Sequence, residues 1–234
     1  MKSLFLVILL LSGCTTTQFE VNIDSISDPN HTQKTYIILP VNKGVKATDL
    51  QFKEYAAYVN RALVQQGLIQ ADPPNKADLV VFLYYGIGEP QVHNYSYSIP
   101  TFGQTGISSS NTTGSINSYG GYSSYSATTS YTPTFGVTGS IPVNDTVVTY
   151  SRFIILEGLD YAELVNNKKE IQLWKTTITS TGTSSDLRLV FPVMIGAAKE
   201  YFLKNSGKKI QVDISEDDNR VIEVKGIEEK KPVK

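Results

Sequence analysis

A chain of 234 residues, 41% of them hydrophobic, suits one domain with extensions and can bury a core, which excludes a wholly disordered protein. The formal net charge of -1 supplies no basic field for nucleic acid and no acidic face for a basic partner, so nucleic acid is excluded as an expected ligand. The single cysteine, Cys14, allows no internal disulfide and no thiolate metal cluster.

Residues 1–13 read as a targeting segment. Lys2 gives a short positive region, and the apolar run 4–11 is too short to cross roughly 30 Å of hydrocarbon at about 1.5 Å per residue. The run ends in Leu11, Ser12, Gly13 and Cys14, which resembles the lipobox of bacterial lipoproteins. The resemblance implies cleavage before Cys14, a diacylglycerol on its sulfur and acylation of the new amino group, making the membrane the first expected partner. Each buried methylene contributes about 0.8 kcal/mol, and two or three chains are needed for stable attachment. The competing reading is an ordinary secretory signal with an incidental cysteine. Thr15 stands where an aspartate would resemble an inner-membrane retention signal, which leans the expected location towards the outer membrane. Residues 14–34 mix polar and turn-forming types and read as a tether, with one short strand around 19–23.

The folded part is expected over 35–226. The β-branched and apolar run 35–41 predicts a buried strand. A helix follows, with Thr48 as its cap, Gln51 as the capping-box partner, apolar residues from Phe52 to Leu63 at helical spacing, and Gly67 as the stop. After the turn-rich 70–76, residues 77–90 predict a second buried strand, so strand, helix and strand form a crossover unit.

Between Glu89 and Asp145 no Lys, Arg, Asp or Glu occurs, and Ser, Thr, Gly, Asn and Tyr dominate. This insertion, 91–144, holds a near-repeat, "PTFGQTG" at 100–106 and "PTFGVTG" at 133–139, which predicts paired hairpin arms or two copies of one turn. Its middle, 107–130, has few aliphatic residues and is expected to be mobile between ordered shoulders. Tyr119, Tyr122 and Tyr125 are the candidate partner-binding residues, since exposed aromatic faces can stack on sugar rings or other envelope polymers. The alternative is a solvated low-complexity loop without a ligand.

Residues 146–164 and 170–182 read as a long antiparallel hairpin. Ser184 or Ser185 is expected to cap a second helix, apolar at core spacing from Leu187 to Leu203, which Pro192 either kinks or opens. Two short strands about an acidic turn are expected over 208–226, then a loose charged tail over 227–234.

The order of lipobox, strand, helix, "ADLVVFLYYGIGEP", a Thr/Tyr/Gly-rich arm with "TPTFGVTG" and "TSSDLRLVFPVMIGAAKEYF" is similar to bacterial envelope lipoproteins carrying a domain of unknown function. The resemblance implies a location and a fold class but no catalytic residue. The expected architecture is α+β: a mixed or antiparallel sheet with two helices packed on one face, plus the long low-complexity arm.

Little here points to catalysis, a cofactor or a metal. His31 and His93 lack an obvious frame for zinc or for a triad, and the "GIG" at 86–88 is half of a dinucleotide fingerprint, better read as a strand-end bulge or turn. Asp213, Ser215, Asp217 and Asn219 alternate like a calcium loop, but Asp218 and Val224 stand where such a loop needs Gly and Glu. Glu157, Asp160 and Glu89 are the carboxylates available to an envelope glycan hydrolase. The leading expectation is a non-catalytic binding or assembly module that meets an envelope protein or glycan.

Overall fold

The computed structural model describes residues 17–72 and 77–227, so the targeting segment, Cys14 and the tail beyond Ile227 lie outside the described residues. Alternation governs the first element. Phe19, Val21, Ile23 and Ser25 are buried while their neighbours face outward, giving β1 (Gln18–Ser27). This corrects the tether expected over 14–34 where β1 lies: the short strand expected around 19–23 extends over 18–27. From Gln18 the chain is an inner strand, paired antiparallel with β7 (Gln172–Gly182) on one side and β8 (Ile210–Ser215) on the other. Both partners come from the far end of the sequence, so the strand expected around 19–23 is present, but its length and its inner place in the sheet are set by residues far from it.

The crossover unit forms as its pattern requires. Strand β2 (Thr35–Pro40) pairs parallel with β4 (Leu79–Ile87), and the two-residue β3 (Ile69–Gln70) adds a parallel edge. Helix α1 (Leu50–Gln65) buries Phe52, Tyr55, Val59, Ala62 and Leu63. Its cap is Asp49 instead of Thr48, and the Asp49 carboxylate accepts from the Lys46 amide at 2.9 Å, closing the preceding turn and leaving the helix's own amides alone. Gly67 takes a φ of 90°, a left-handed conformation that ends the helix without a Cβ penalty.

Strands β5 (Gln91–Tyr119) and β6 (Tyr122–Asp160) pair, and the last part of β6 pairs antiparallel with both β4 and β7. The sheet is mixed, in the order β3-β2-β4-β6-β7-β1-β8. Helix α2 (Leu187–Ala198) is capped by Asp186, not Ser184 or Ser185: its carboxylate accepts from the Arg188 amide at 2.9 Å and the Leu189 amide at 3.3 Å. Pro192 lies inside this helix, which passes at Lys199 into one 3-10 turn.

Helix α3 (Asn219–Lys225) replaces the second strand expected over 208–226. Asp218 accepts from the Arg220 amide at 2.9 Å, and Val221 and Val224, three apart, are both buried. Gly196 permits the close approach of α3, for a Cβ there would lie 3.1 Å from the Val221 amide nitrogen. The fold is therefore α+β, with a mixed sheet whose covered face packs against the helices through a core including Trp174, Ile154, Leu156, Tyr55 and Phe191. Phe82, Tyr84, Phe153, Ile155 and Thr177 alternate onto the other face, where they are only partly covered or exposed. By compactness the chain divides into two units, one running up to residue 91 and resuming at 148, the other residues 92–147.

Candidate functional site

The second unit is a two-stranded ribbon, and its middle, 107–130, where a mobile segment was expected, takes regular strand conformation on both sides of the turn. β5 runs without a break to Tyr119, and Gly120 and Gly121 turn the chain with φ values of 57° and 87°. Two successive positive φ angles suit the tight hairpin turn that matches strand twist, and glycine adopts them without strain. Ladder-like side-chain bonds replace a core: Ser118 and Ser123 hydroxyls meet at 2.7 Å, Thr112 and Thr129 at 2.8 Å, and Ser96 donates to Asn144 at 2.8 Å. Composition had suggested looseness because few aliphatic residues are present; cross-strand hydroxyls supply the pairing instead.

The near-repeat forms paired arms that interlock about a local two-fold. A Cβ on Gly103 would lie 3.1 Å from Thr138, and one on Gly136 would lie 3.2 Å from Thr105. The same reciprocity relates Gly106 with Thr134 (3.4 Å) and Gly139 with Thr101 (3.3 Å). Each glycine of one copy thus leaves room for a threonine of the other. Phe102 and Phe135, the third residues of the two copies, are equally exposed at 73%.

Tyr119 and Tyr122 flank the tip turn at 92% and 85% exposure, and Tyr125 is 68% exposed with its ring lying over Gly114. Tyr95, Tyr97, Ile99, Val137 and Ile141 are further exposed apolar residues of the ribbon. The ribbon can offer aromatic and aliphatic contact, hydroxyl hydrogen bonds and open strand edges, but almost no charge.

The candidate carboxylates are not gathered. Glu157 lines an open-face depression of about 420 Å³ with Phe82, Tyr84, Ile155, Lys43 and Lys175, and Gln172 donates to it; neither Asp160 nor Glu89 lines that depression. Asp160 accepts from the Gln33 side chain at 3.1 Å and the Glu163 amide at 2.9 Å, which ties down the end of β6, and Glu89 is exposed beyond β4. His31 sits in a turn closed on the Asp28 carbonyl, and His93 is an exposed β5 residue. Gly86 of the "GIG" makes room for the Phe153 ring, which a Cβ would meet at 2.6 Å. Asp213 and Ser215 lie on β8 and Asn219 opens α3, and among the described residues no group of three His, Cys, Asp or Glu is placed to hold a metal. No described helix is long and apolar enough to cross a membrane.

Sequence reasoning missed Arg152. It shares its parity along β6 with Ile154 and Leu156, which puts it on the covered face at 1% exposure. Burial pushes its guanidinium pKa down. It lines a cavity of about 440 Å³ with Thr181, Gly182, Thr183 and Ser184. The period-2 signal was present in "SRFIIL": three alternate residues, one of them charged.

No protein-family model and no curated protein matches the sequence. Among solved structures, a PDZ domain protein from Parabacteroides distasonis ATCC 8503 aligns over 86% of this chain with a TM-score of 0.36 and 12% identity. This chain spans 40% of that protein's length. A likeness at that TM-score carries no argument about this chain.

Proposed function

We propose that the protein is a lipid-anchored, non-catalytic binding or assembly module of a bacterial cell envelope, held at the outer membrane through Cys14, with the β5–β6 hairpin as its contact element for another envelope protein or a glycan. The observation that carries this reading is the hairpin surface, a ribbon free of Lys, Arg, Asp and Glu from 90 to 144 that exposes tyrosine, phenylalanine and isoleucine. A two-stranded hairpin by itself is marginal in water, and its open edges offer backbone groups to which another strand can add. Contact with a partner would remove both liabilities. The lipobox resemblance supports the anchor.

The test is made in intact cells. Cys14→Ser should abolish labelling by a fatty-acid analogue, and unchanged labelling would overturn the anchor. Replacing Tyr119, Tyr122 and Tyr125 together with serine should weaken crosslinking to the partner while changing stability by no more than about 0.5 kcal/mol per site. Capture that survives this triple variant but is lost when Glu157 and Asp160 are neutralised would move the function to the carboxylates.

A further inference from the structure

The ribbon is two-faced in a way that a contact surface in water does not need. From 131 to 143 the odd positions of β6 are Tyr, Pro, Phe, Val, Gly, Ile and Val, while the even positions from 132 to 140 are Thr, Thr, Gly, Thr and Ser. Successive residues of a strand point to opposite faces, and cross-strand contacts fix which neighbours share each one. Thr105 meets the Thr134 hydroxyl at 3.3 Å and would lie 3.2 Å from a Cβ on Gly136, and Thr138 would lie 3.1 Å from a Cβ on Gly103. Positions 134, 136 and 138 thus share a face with small and hydroxyl-bearing residues of β5, and Phe135 and Val137 project the other way. Nearer the base, Ser96 donates to Asn144, which sends Tyr97 to the apolar side with Val143. Water-facing strand edges are ordinarily guarded by charged side chains, yet no Lys, Arg, Asp or Glu stands on either face from 90 to 144.

We propose that the ribbon is a membrane-inserting hairpin: copies of this chain pair edge to edge into a closed β-barrel, with the odd positions of 131–143 against hydrocarbon and the hydroxyl-bearing face turned to a water-filled interior. A tilted strand crosses a bilayer in about nine to eleven residues of alternating apolar and polar type, and 131–143 exceeds that length. Hydrocarbon offers no water to unpaired amides and carbonyls, so the open edges of one ribbon need closure, and the edges of identical ribbons supply it. Residues 107–130 have to pass through the bilayer first, and they carry no charge that would stop them; Ser118 with Ser123 and Thr112 with Thr129 already pair their hydroxyls across the ribbon. The proposal rests on the envelope anchor put forward above and names the ribbon's partners as lipid and further copies of this chain. The register of the sheet agrees with it. Val21 lies opposite Ser180, Ser180 opposite Arg152 and Arg152 opposite Ile87, so β1 begins at the end of the sheet from which β4 and β6 run out. Cys14 precedes Gln18 by four residues, at most about 14 Å of chain, so an acyl group on Cys14 would hold that end of the sheet at the membrane.

The test uses the full lipidated chain in phosphatidylcholine vesicles. Cys14 is its one cysteine, so Val137→Cys and Thr138→Cys each add a single thiol for an environment-sensitive dye. Both positions are exposed and outside the buried core, so neither change should unfold the protein. The dye at 137 should lose its emission to brominated lipid and ignore aqueous iodide, the dye at 138 should do the reverse, and crosslinking of the vesicle-bound chain should yield a closed set of several copies. Any other pattern of quenching, or monomers alone after crosslinking, would overturn the barrel. Dyes that both respond only to iodide would leave the ribbon in water, as contact with a soluble envelope partner requires. The parent chain separates this result from the anchor. With Cys14 acylated it takes up no dye; dye on the parent would overturn the anchor, and its signal, subtracted, leaves the ribbon to be read by itself.

Discussion

Phe191 lies flat on Tyr55, with ring centroids 4.1 Å apart and planes 5° from parallel, and meets the edge of Tyr85 at 5.9 Å. This one side chain joins α2 to α1 and to β4, and it has no exposure. Phe191→Ala should therefore cost roughly 3 to 5 kcal/mol in chemical denaturation, combining lost transfer energy with an unfilled cavity. A loss below about 1 kcal/mol would mean that α1 and α2 do not close on this ring. Phe191 was legible because its apolar neighbours recur at helical spacing. Gly196 was not: its role comes from the backbone of α3, 25 residues further on, and no local pattern marks a glycine kept small for a distant contact.

Elements were legible where one short window of sequence decides them. The crossover strands, both long helices and the β6–β7 hairpin follow from local apolar period and turn chemistry. Caps went astray because several capping residues stood side by side at 183–186, and only the three-dimensional course of the chain selects Asp186. The length of β1 and the helical state of α3 were missed for a related reason. One has its extent set by partners about 150 to 200 residues away, and the other is made a helix by two valines that find a face to bury against. In the candidate site the tyrosines and carboxylates were named from composition, whereas Arg152 needed the parity of its strand. The hairpin invites a prediction at this scale. Deleting 107–130 leaves the interlocked repeat of 100–106 and 133–139 and touches none of the buried core, so the melting midpoint should fall by only a few degrees. Loss of a cooperative transition in that melt would show that the distal hairpin supports the fold.

For the whole molecule, acid is the informative stress. Hydrogen bonds from Arg188 hold Glu54 below the usual carboxylate range, those from Arg220 do the same for Asp218, and Thr35 lowers Asp78. A carboxylate with a depressed folded pKa stabilises the fold above its unfolded pKa and loses that contribution as pH falls through the folded value. The midpoint should thus stay level from pH 7 to about 5 and decline below about pH 4, and the decline should be modest because each of these groups keeps part of its surface in contact with solvent and salt. A midpoint that rises on acidification would contradict the assignment. The hairpin stands outside this response altogether. From 94 to 144 it holds no carboxyl, amine, guanidinium or imidazole group, so it has no counterions to shed and nothing to protonate in the acid range. On the hairpin's side, then, acid and counterion release have no group to act through over 94–144. The compact core carries the protein's acid response, and the hairpin adds no titrating group to it over 94–144.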